Sequence, residues 1–581
     1  FSVLPNHRRW SALLGGLRYV VIDEAHRYQG VFGAHVAQVL RRLRRLAAAH
    51  GAEPTILLSS ATAPNAADFG GALIGEDRVE VVADSAAPVA SRTVVLWQPS
   101  ASLNRDTSRL LAGLADDATQ TLAFVASRAG AELTSLEAAE LAAEPGRIAS
   151  YRGGYLAMER RDLEAALQTG EILGLATTNA LELGIDVSGI DAVLVSGFPG
   201  KLSAFWQQAG RAGRAGREAL VVLLARENPL DAYLLQHPEL IFDAPVEAAI
   251  CHPQNPHVLG PHLAAAAQEQ PLTAADERWF GPTALPLAAH LAAGKVLRDR
   301  GGTWYWTRPD RAVDHINLRS TTPRPVEIIE RSTGQVIGVV DPAAADRTVH
   351  RGAVYLHQGR SFVVTDLDVE ERSAMVVAAH NPWYTQAESA QDIAVLREQR
   401  SRPLGSTTLH FGDVRLSWQV TGYLRRDETT HEVLDSTPLD CPEHTLTTQA
   451  VWWSVPETLE RELGWGSLRL GAAAHAAEHT SIGLLPAFAP CDRWDIGGVS
   501  TARHPDTGLV TVFVHDGLPG GAGFAARAHE VAEQWLAATL ERLRTCRCES
   551  GCPACVVSPK CGNANQVLDK TAATELLRRI L

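Results

Sequence analysis

The sequence of 581 residues has no apolar run approaching the ~18 residues of a membrane span, and its opening residues, FSVLPNHRRW, contain no signal-peptide core. It also has no excess of basic residues, since its formal net charge is −13. A protein that coats nucleic acid by bulk attraction is thereby excluded, and any contact with nucleic acid must be local. These absences predict a cytosolic protein.

Disorder is excluded by the composition, which is 46% apolar and 20% charged. A disordered chain lacks the Val, Ile and Leu that offset the entropy lost on folding. At about 150 residues per domain, the length predicts roughly four domains. Because the first residue is Phe rather than Met, we expect this chain to be a fragment or a processed piece.

Short apolar runs alternate with helix-length segments up to about residue 250. Runs that are apolar throughout are typical of parallel strands covered by helices on both faces, which predicts an α/β doubly wound sheet. The runs are LRYVVIDE, PTILLSSAT, TLAFVASR, EILGLATTN, DAVLVSGFP and ALVVLLAR. Ligands bind beyond the carboxyl ends of such strands, so the polar residues that close the runs should share one edge.

The stretch DEAH, from Asp23 to His26, places two carboxylates directly after the first apolar run. An Asp in this position can hold Mg²⁺, usually through water, while the Glu orients and deprotonates a water that attacks a γ-phosphate. The pair is suited to hydrolysis of a nucleoside triphosphate. A solvated turn after a strand is the alternative interpretation.

Three further stretches follow DEAH in order: SSAT (59–62), ATTNALELGID (176–186) and QQAGRAGRAGR (207–217). Together the four resemble motifs II, III, V and VI of the superfamily 2 DEAD/DEAH-type helicases. The resemblance implies two RecA-like lobes of the P-loop NTPase class, with ATP and Mg²⁺ as cofactors. It assigns catalysis to Asp23, Glu24, His26, Arg211 and Arg214, and nucleotide binding to Gly184, Asp186, Gln207, Gln208 and Gly210.

The arginines in the last stretch, Arg211 and Arg214, could neutralise charge on a transferring phosphoryl group, although a flexible Arg-Gly loop is the alternative. The same resemblance assigns a further set of residues to contact with nucleic acid or to coupling of nucleotide state to movement. They are Ser60, Thr62, Ser127, Arg128, Arg152 and Thr178. For Thr178 a helix cap is the alternative, and for Ser60 and Thr62 a plain hydroxyl turn.

No G-x-x-x-x-G-K-[ST] phosphate loop occurs in the sequence, and GFPGKLS (197–203) has the wrong spacing. Without that loop the β- and γ-phosphates have no cradle of backbone amides and lysine. We therefore expect the chain to be the carboxyl-terminal part of a helicase and to be inactive as an ATPase alone. A truncated first sheet should expose apolar surface.

The middle of the chain contains two connecting modules. Residues 251–323 combine helices with a Gly turn and aromatic strands, which is compatible with a winged helix. Residues 324–440 show alternation with period two, which predicts a β-rich module. The basic run RRLRR (41–45) within the first lobe has two interpretations, contact with nucleic acid or a solvated helix face, and the solvated face is the usual one.

Five cysteines crowd into the tail, and four of them are predicted to bind structural Zn²⁺: Cys548, Cys552, Cys555 and Cys561. Cys546 is predicted to be the surplus cysteine. An iron–sulfur cluster is the alternative. The stretch HAAEH (475–479) has the H-x-x-E-H pattern of inverted zinc peptidases, but a buried polar network is the preferred interpretation.

The tail resembles the zinc-binding domain of the mitomycin repair factor A group of bacterial DNA helicases, through HAAEHTSIGLLP, CDRWDIGGVST, FVHDGLPGGAG and CESGCPACVVSPKCGN. The resemblance implies an ATP-dependent 3′ to 5′ DNA helicase of the bacterial cytoplasm and nucleoid, acting in repair on single-stranded or branched DNA. A non-catalytic nucleic-acid-binding zinc module is the alternative function. The predicted domains are 1–90 (part of lobe 1), 91–250 (lobe 2), 251–323, 324–440 and 441–581 (zinc-binding domain).

Overall fold

A computed structural model describes the chain apart from a set of short segments. The segments outside the description are residues 61–63, 85–90, 101, 153–154, 156, 183–189, 214–217, 319–324, 341, 358–359, 429, 431, 490, 492, 494, 560 and 564, together with the side chains of residues 128, 157 and 343. Among the described residues, no helix has both the length and the apolar character needed to cross a membrane.

The first lobe contains two parallel strands in register from Tyr19 opposite Thr55 to Ile22 opposite Leu58. Its elements are α1 (Ser11–Gly15), β1 (Tyr19–Ile22), α2 (Gly30–Ala49), β2 (Thr55–Leu58) and α3 (Ala66–Ile74). One face of the strand pair packs against α2 and α3. The other face is open, and Val21 is 68% exposed there.

The second lobe is a six-stranded, fully parallel sheet in the order β3-β8-β7-β4-β6-β5. Its elements are β3 (Arg92–Trp97), α4 (Leu103–Asp116), β4 (Thr121–Phe124), α5 (Arg128–Leu141), β5 (Ile148–Tyr151), α6 (Ala157–Thr169), β6 (Gly174–Thr177), β7 (Ala192–Ser196), α7 (Leu202–Ala209) and β8 (Ala219–Leu224). Every residue of β4, β6 and β7 is buried, as expected for central strands covered on both faces. The predicted α/β fold is confirmed.

A helical module with a short hairpin follows the second lobe. Its elements are α8 (Pro229–Gln236), α9 (Glu239–Phe242), α10 (Pro256–Glu269), α11 (Glu277–Phe280), α12 (Ala284–Ala293), β9 (Leu297–Asp299) and β10 (Trp304–Trp306). Strands β9 and β10 pair antiparallel beside α10 and α12, as the wing of a winged helix does.

The basic run on α2 is not solvated, so that interpretation was wrong. Arg41, Arg42 and Arg45 are at most 5% exposed. Arg42 pairs with Glu269 of α10, and the Arg45 guanidinium lies 2.6 Å from Asp276. Arginine is suited to this position because its planar fork also reaches backbone carbonyls, which Arg45 does at Ala266 O (2.9 Å). The run joins the first lobe to the winged helix.

Residues 326–378 form a five-stranded mixed sheet in the order β12-β11-β15-β14-β13, in which β11 and β15 are parallel. Its elements are β11 (Val326–Glu330), β12 (Gln335–Val340), α13 (Pro342–Thr348), β13 (Val354–His357), β14 (Arg360–Asp368) and β15 (Ser373–Ala378). The core lies between this sheet and α13.

A six-stranded sheet of long antiparallel strands follows, in the order β16-β17-β19-β21-β20, with β18 beside β17. Its strands are β16 (Trp383–Leu404), β17 (Thr407–Asp427), β18 (Val433–Pro438), β19 (His444–Ser454), β20 (Ile496–Thr501) and β21 (Thr511–Asp516). The predicted boundary between residues 440 and 441 is corrected here, because β17 pairs directly with β19 across it. The β-rich module and the tail therefore share one sheet.

The tail helices pack on this sheet and supply the largest apolar core. They are α14 (Glu457–Leu463), α15 (Ser467–Leu484), α16 (Phe524–Glu530), α17 (Ala532–Thr545) and α18 (Lys570–Ile580). Helix α15 lies at the centre, with thirteen of its eighteen residues buried against α17, α18 and β20. It also contacts α8 of the helical module, where Gly483 leaves room for Pro229.

Candidate functional site

The two carboxylates of DEAH lie at the carboxyl end of β1, as the sequence predicts. Asp23 accepts hydrogen bonds from the Ser59 hydroxyl and from the Glu24 backbone N–H (3.0 Å), and the Ser59 bond lowers the pKa of Asp23. The carboxylate is thus held ionised at the edge of the sheet. Glu24 adopts a left-handed backbone conformation (φ 51°), which turns the chain sharply after the strand.

His26 connects this edge to the second lobe. Its Nδ1 lies 3.1 Å from the Ser60 hydroxyl, and its Nε2 contacts the Gln207 side chain of α7. Glu24 Oε2 is 3.4 Å from the same Nε2. Burial lowers the pKa of His26, so the imidazole is neutral at physiological pH. Residues predicted from two separate motifs are therefore in direct contact.

A second polar contact joins the lobes through Glu182. Its Oε1 is 3.1 Å from Arg27 of the first lobe, and its Oε2 accepts from Gln208 at 3.1 Å. Burial raises the pKa of Glu182, although Gln208 and Arg27 both favour the ionised form. Arg211 donates to the Glu182 backbone carbonyl and is 7% exposed. The guanidinium is therefore held at the boundary between the lobes.

Most residues assigned to nucleic-acid contact have structural partners in this state. Ser127 caps α5 by accepting from the Gly130 N–H at 2.9 Å, and Thr178 accepts from the Ala180 N–H at 3.4 Å. Arg152 pairs with Glu132 at 2.6 Å. Gly210, which is predicted to bind the nucleotide, ends α7, where its N–H donates to Trp206 O at 2.8 Å.

Several predicted residues lie outside the described part of the chain. These are Thr62, Gly184, Asp186 and Arg214, together with the side chain of Arg128. Their assignments to coupling, ribose binding and charge neutralisation stay predictions.

The tail cysteines form a compact cluster after α17. Four sulfur atoms lie within 4.8 Å of one another, those of Cys546, Cys548, Cys552 and Cys555. The Cys546 sulfur lies 3.5 Å from those of Cys548 and Cys552, and the Cys555 sulfur lies 3.4 Å from that of Cys548 and 3.7 Å from that of Cys552. Zinc–sulfur bonds of about 2.3 Å at tetrahedral angles require a separation of about 3.8 Å, so this set fits Zn²⁺.

The ligand set differs from the predicted one, because Cys546 belongs to the cluster and Cys561 does not. Cys546 directly follows α17, which directs its sulfur toward the Cys552-x-x-Cys555 turn. Beyond that turn Val556 is fully buried, and the Thr480 hydroxyl of α15 donates to Cys555 O at 3.2 Å. Because of these contacts the residues after Cys555 run along α15, and Cys561 lies outside the four-cysteine cluster.

A lysine that sequence reasoning missed supports the four sulfurs. Lys570 Nζ donates to Cys546 O (2.7 Å) and Cys548 O (2.5 Å), and lies 3.3 Å from Cys548 Sγ. Burial acts to raise the pKa of Cys546, but hydrogen bonds from the Cys548 backbone and Arg542 outweigh it and bring the pKa to about 6. Four thiolates around Zn²⁺ carry an excess of negative charge, which a buried ammonium offsets.

Family models match four successive parts of the chain: DEAD/DEAH box helicase (residues 2–69), Helicase conserved C-terminal domain (104–216), ATP-dependent helicase HRQ1 winged helix domain (251–321) and MrfA Zn-binding domain (477–556). They confirm the predicted lobes, winged helix and zinc-binding domain. They also support the predicted cofactors, ATP with Mg²⁺ and structural Zn²⁺.

Individual proteins match over nearly the whole chain. The ATP-dependent helicase YprA of Bacillus subtilis is 33% identical over 96% of this chain and 75% of its own length. The helicase hrq1 of Schizosaccharomyces pombe is 29% identical over 100% of this chain, which spans 58% of that protein. The crystal structure of the DUF1998 helicase MrfA bound to DNA is similar with a TM-score of 0.68 and 33% identity, covering 100% of this chain and 78% of that one.

Proposed function

Because the chain belongs to the MrfA family of DEAD/DEAH-box helicases, we propose that it is the motor and zinc-binding part of a DNA helicase that moves 3′ to 5′ on single-stranded DNA during repair. It would act in the bacterial cytoplasm, on the nucleoid. The relative crystallised with DNA supports the choice of DNA as substrate.

The observation that carries this proposal is the contact between lobes at DEAH. His26 and Arg27, next to the two carboxylates, contact Gln207 and Glu182 of the second lobe. A nucleotide bound at the end of β1 would therefore border on both lobes, and a change in its phosphates could alter their separation. Backbone contacts with DNA on each lobe would then convert that change into a step along the strand.

Three side chains near the carboxyl end of β1 would take part in ATP hydrolysis. Asp23, kept ionised by Ser59, would hold the Mg²⁺ of the nucleotide through water. Glu24 would accept the proton of the attacking water, and Arg211 would neutralise charge on the phosphoryl oxygens after release from the Glu182 carbonyl. Bound ATP supplies the free energy of the step.

We also propose that the chain alone binds single-stranded DNA without hydrolysing ATP, since its sequence contains no phosphate loop. A fusion that supplies a phosphate-loop-bearing half lobe ahead of Phe1 should gain DNA-stimulated hydrolysis. Assays of both proteins with and without DNA test the proposal. DNA-stimulated hydrolysis by the unfused chain would contradict the inactive state.

Polarity is tested with forked and tailed duplexes. The fusion should separate a duplex with a 3′ single-stranded tail and leave a duplex with a 5′ tail intact. Equal separation of the two, or a preference for the 5′ tail, would contradict the assigned direction. An RNA tail of the same sequence tests the choice of DNA.

A further inference from the structure

A second group of metal-binding side chains lies in the tail, apart from the four cysteines. His475 and His479 stand four residues apart on α15, so both imidazoles project from one face of the helix, with ring centroids 4.3 Å apart. Cys561 approaches the same face from the segment before α18. One ligand atom from each of the three residues lies within 4.8 Å of the other two.

The hydrogen bonds of the two histidines use Nδ1 and leave Nε2 of each ring to bind a metal. His479 Nδ1 donates to the Val556 carbonyl at 2.7 Å, and His475 Nδ1 donates to the Val567 carbonyl at 3.4 Å. A carbonyl only accepts, so the proton resides on Nδ1 and the lone pair on Nε2. Histidine ligands in metal sites are oriented in this way, through a second nitrogen that donates to a backbone carbonyl.

The distance between sulfur and nitrogen fits zinc. Cys561 Sγ lies 3.6 Å from His475 Nε2. Zinc–sulfur and zinc–nitrogen bonds of about 2.3 Å and 2.05 Å at a tetrahedral angle place the two ligand atoms about 3.6 Å apart. The spacing of the histidines, H-x3-H, is also one that zinc sites use.

We propose that His475, His479 and Cys561 form a second metal site, which binds Zn²⁺ through two imidazoles and one thiolate and fastens the segment before α18 to α15. Nitrogen and sulfur ligands together select Zn²⁺ over Mg²⁺ or Ca²⁺. The matched zinc-domain model covers residues 477–556 and so includes neither His475 nor Cys561.

The site differs from that of a zinc peptidase. The glutamate of the H-x-x-E-H pattern, Glu478, is buried beside Gly498 of β20 and hydrogen-bonds to Ser500. Its carboxylate is thus committed to the strand rather than to a water on the metal. Three ligands come from described residues, and because Glu478 contacts the strand instead, the role we propose for the ion is structural.

The experiment is a metal count on the full chain after saturation with Zn²⁺ and removal of loosely bound ions. The unaltered chain should hold two equivalents, whereas Cys561→Ser and His475→Gln should each hold one. Cys546→Ser should also lose one equivalent, and Cys546→Ser combined with Cys561→Ser should lose both. Cys441→Ser, outside both clusters, is the matched control and should hold two.

X-ray absorption at the zinc edge tests the site without any substitution. The unaltered chain should show nitrogen at about 2.0 Å in addition to sulfur at about 2.3 Å. One equivalent of zinc in the saturated chain, or a shell of sulfur alone, would overturn the proposal. Two equivalents retained in Cys561→Ser would overturn it as well.

Discussion

At the scale of single residues, the contacts that matter most join positions far apart in the sequence. His26 reaches Gln207, and Arg27 reaches Glu182. The motif residues were predictable because each motif is a short, contiguous stretch of the sequence. Arg27 and Glu182 were not assigned a role, since an ion pair across 155 positions leaves no local pattern.

The ion pair between lobes should show energetic coupling. Arg27→Ala and Glu182→Ala in the active fusion should each reduce DNA-stimulated hydrolysis, and the double variant should be less impaired than the sum of the two effects. We expect a coupling of about 0.5–1 kcal/mol, because Arg27 is 46% exposed and solvent screens the pair. Rates from a double-mutant cycle measure it, with exposed Arg9→Ala as control. Strictly additive effects would contradict the contact.

The lysine beside the four zinc-binding cysteines gives a second prediction for single residues. Lys570→Met removes the ammonium beside Cys548 Sγ, which leaves the excess charge of the four thiolates without its buried counter-charge. Zinc affinity at that site should fall by 10- to 100-fold. Competition with a chromophoric chelator measures the affinity. An unchanged affinity would show that Lys570 only holds the backbone carbonyls.

At the scale of elements, helix α2 has two different partners. Its apolar residues pack within the first lobe, and two of its arginines, Arg42 and Arg45, contact the winged helix. A basic run on a helix does not reveal whether acidic partners will cover it, so sequence alone favoured the solvated face. The strands of the second lobe were predictable for the opposite reason, because burial on both faces leaves uninterrupted apolar runs.

Loss of one buried arginine should separate the winged helix from the first lobe. Arg45→Ala leaves the Asp276 carboxylate buried without its partner and removes a donor to the Ala266 carbonyl. The expected loss is about 3–5 kcal/mol, since breaking a buried ion pair strands a charge. Urea unfolding measures this loss of stability as a lower midpoint of the unfolding transition that includes the winged helix. Arg9→Ala, which alters an exposed arginine, should leave the midpoint unchanged.

The same interface should weaken in acid. His35 Nδ1 lies 3.0 Å from His262 Nε2, and burial lowers the pKa of His35 to about 4 and that of His262 well below its usual range. Between about pH 6.5 and pH 4 the unfolded chain binds a proton at His35, whereas the folded chain does not. Stability is therefore complete above about pH 7 and falls toward pH 4, by at most about 1.4 kcal/mol per pH unit for each histidine.

Unfolding midpoints between pH 7.5 and 4.5 test this expectation. His35→Gln should reduce the pH dependence, and His290→Gln, at an exposed position, is the matched control. A pH dependence that is identical in the unaltered chain and in His35→Gln would contradict the assignment.

At the scale of the whole molecule, a single chain connects two lobes, a winged helix and a metal-stabilised tail. The order of these parts was predictable from motifs and periodicity. The shared sheet across residue 440 was not, because β17 pairs with β19 and β19 with β21 over separations that no local pattern encodes. The path of the chain after Cys555 likewise depends on packing against α15, which is why spacing favoured the wrong fourth cysteine.

The central claim is that residues of both lobes border one nucleotide. The carboxylates at the end of β1 catalyse its hydrolysis, with Glu24 accepting the proton of the attacking water. Glu24→Gln in the fusion removes the proton acceptor and keeps the shape of the side chain. We expect DNA-stimulated hydrolysis to fall at least about 100-fold, which corresponds to about 2.7 kcal/mol in the barrier, with nucleotide binding retained. Hydrolysis by Glu24→Gln at the rate of the parent fusion would contradict the account.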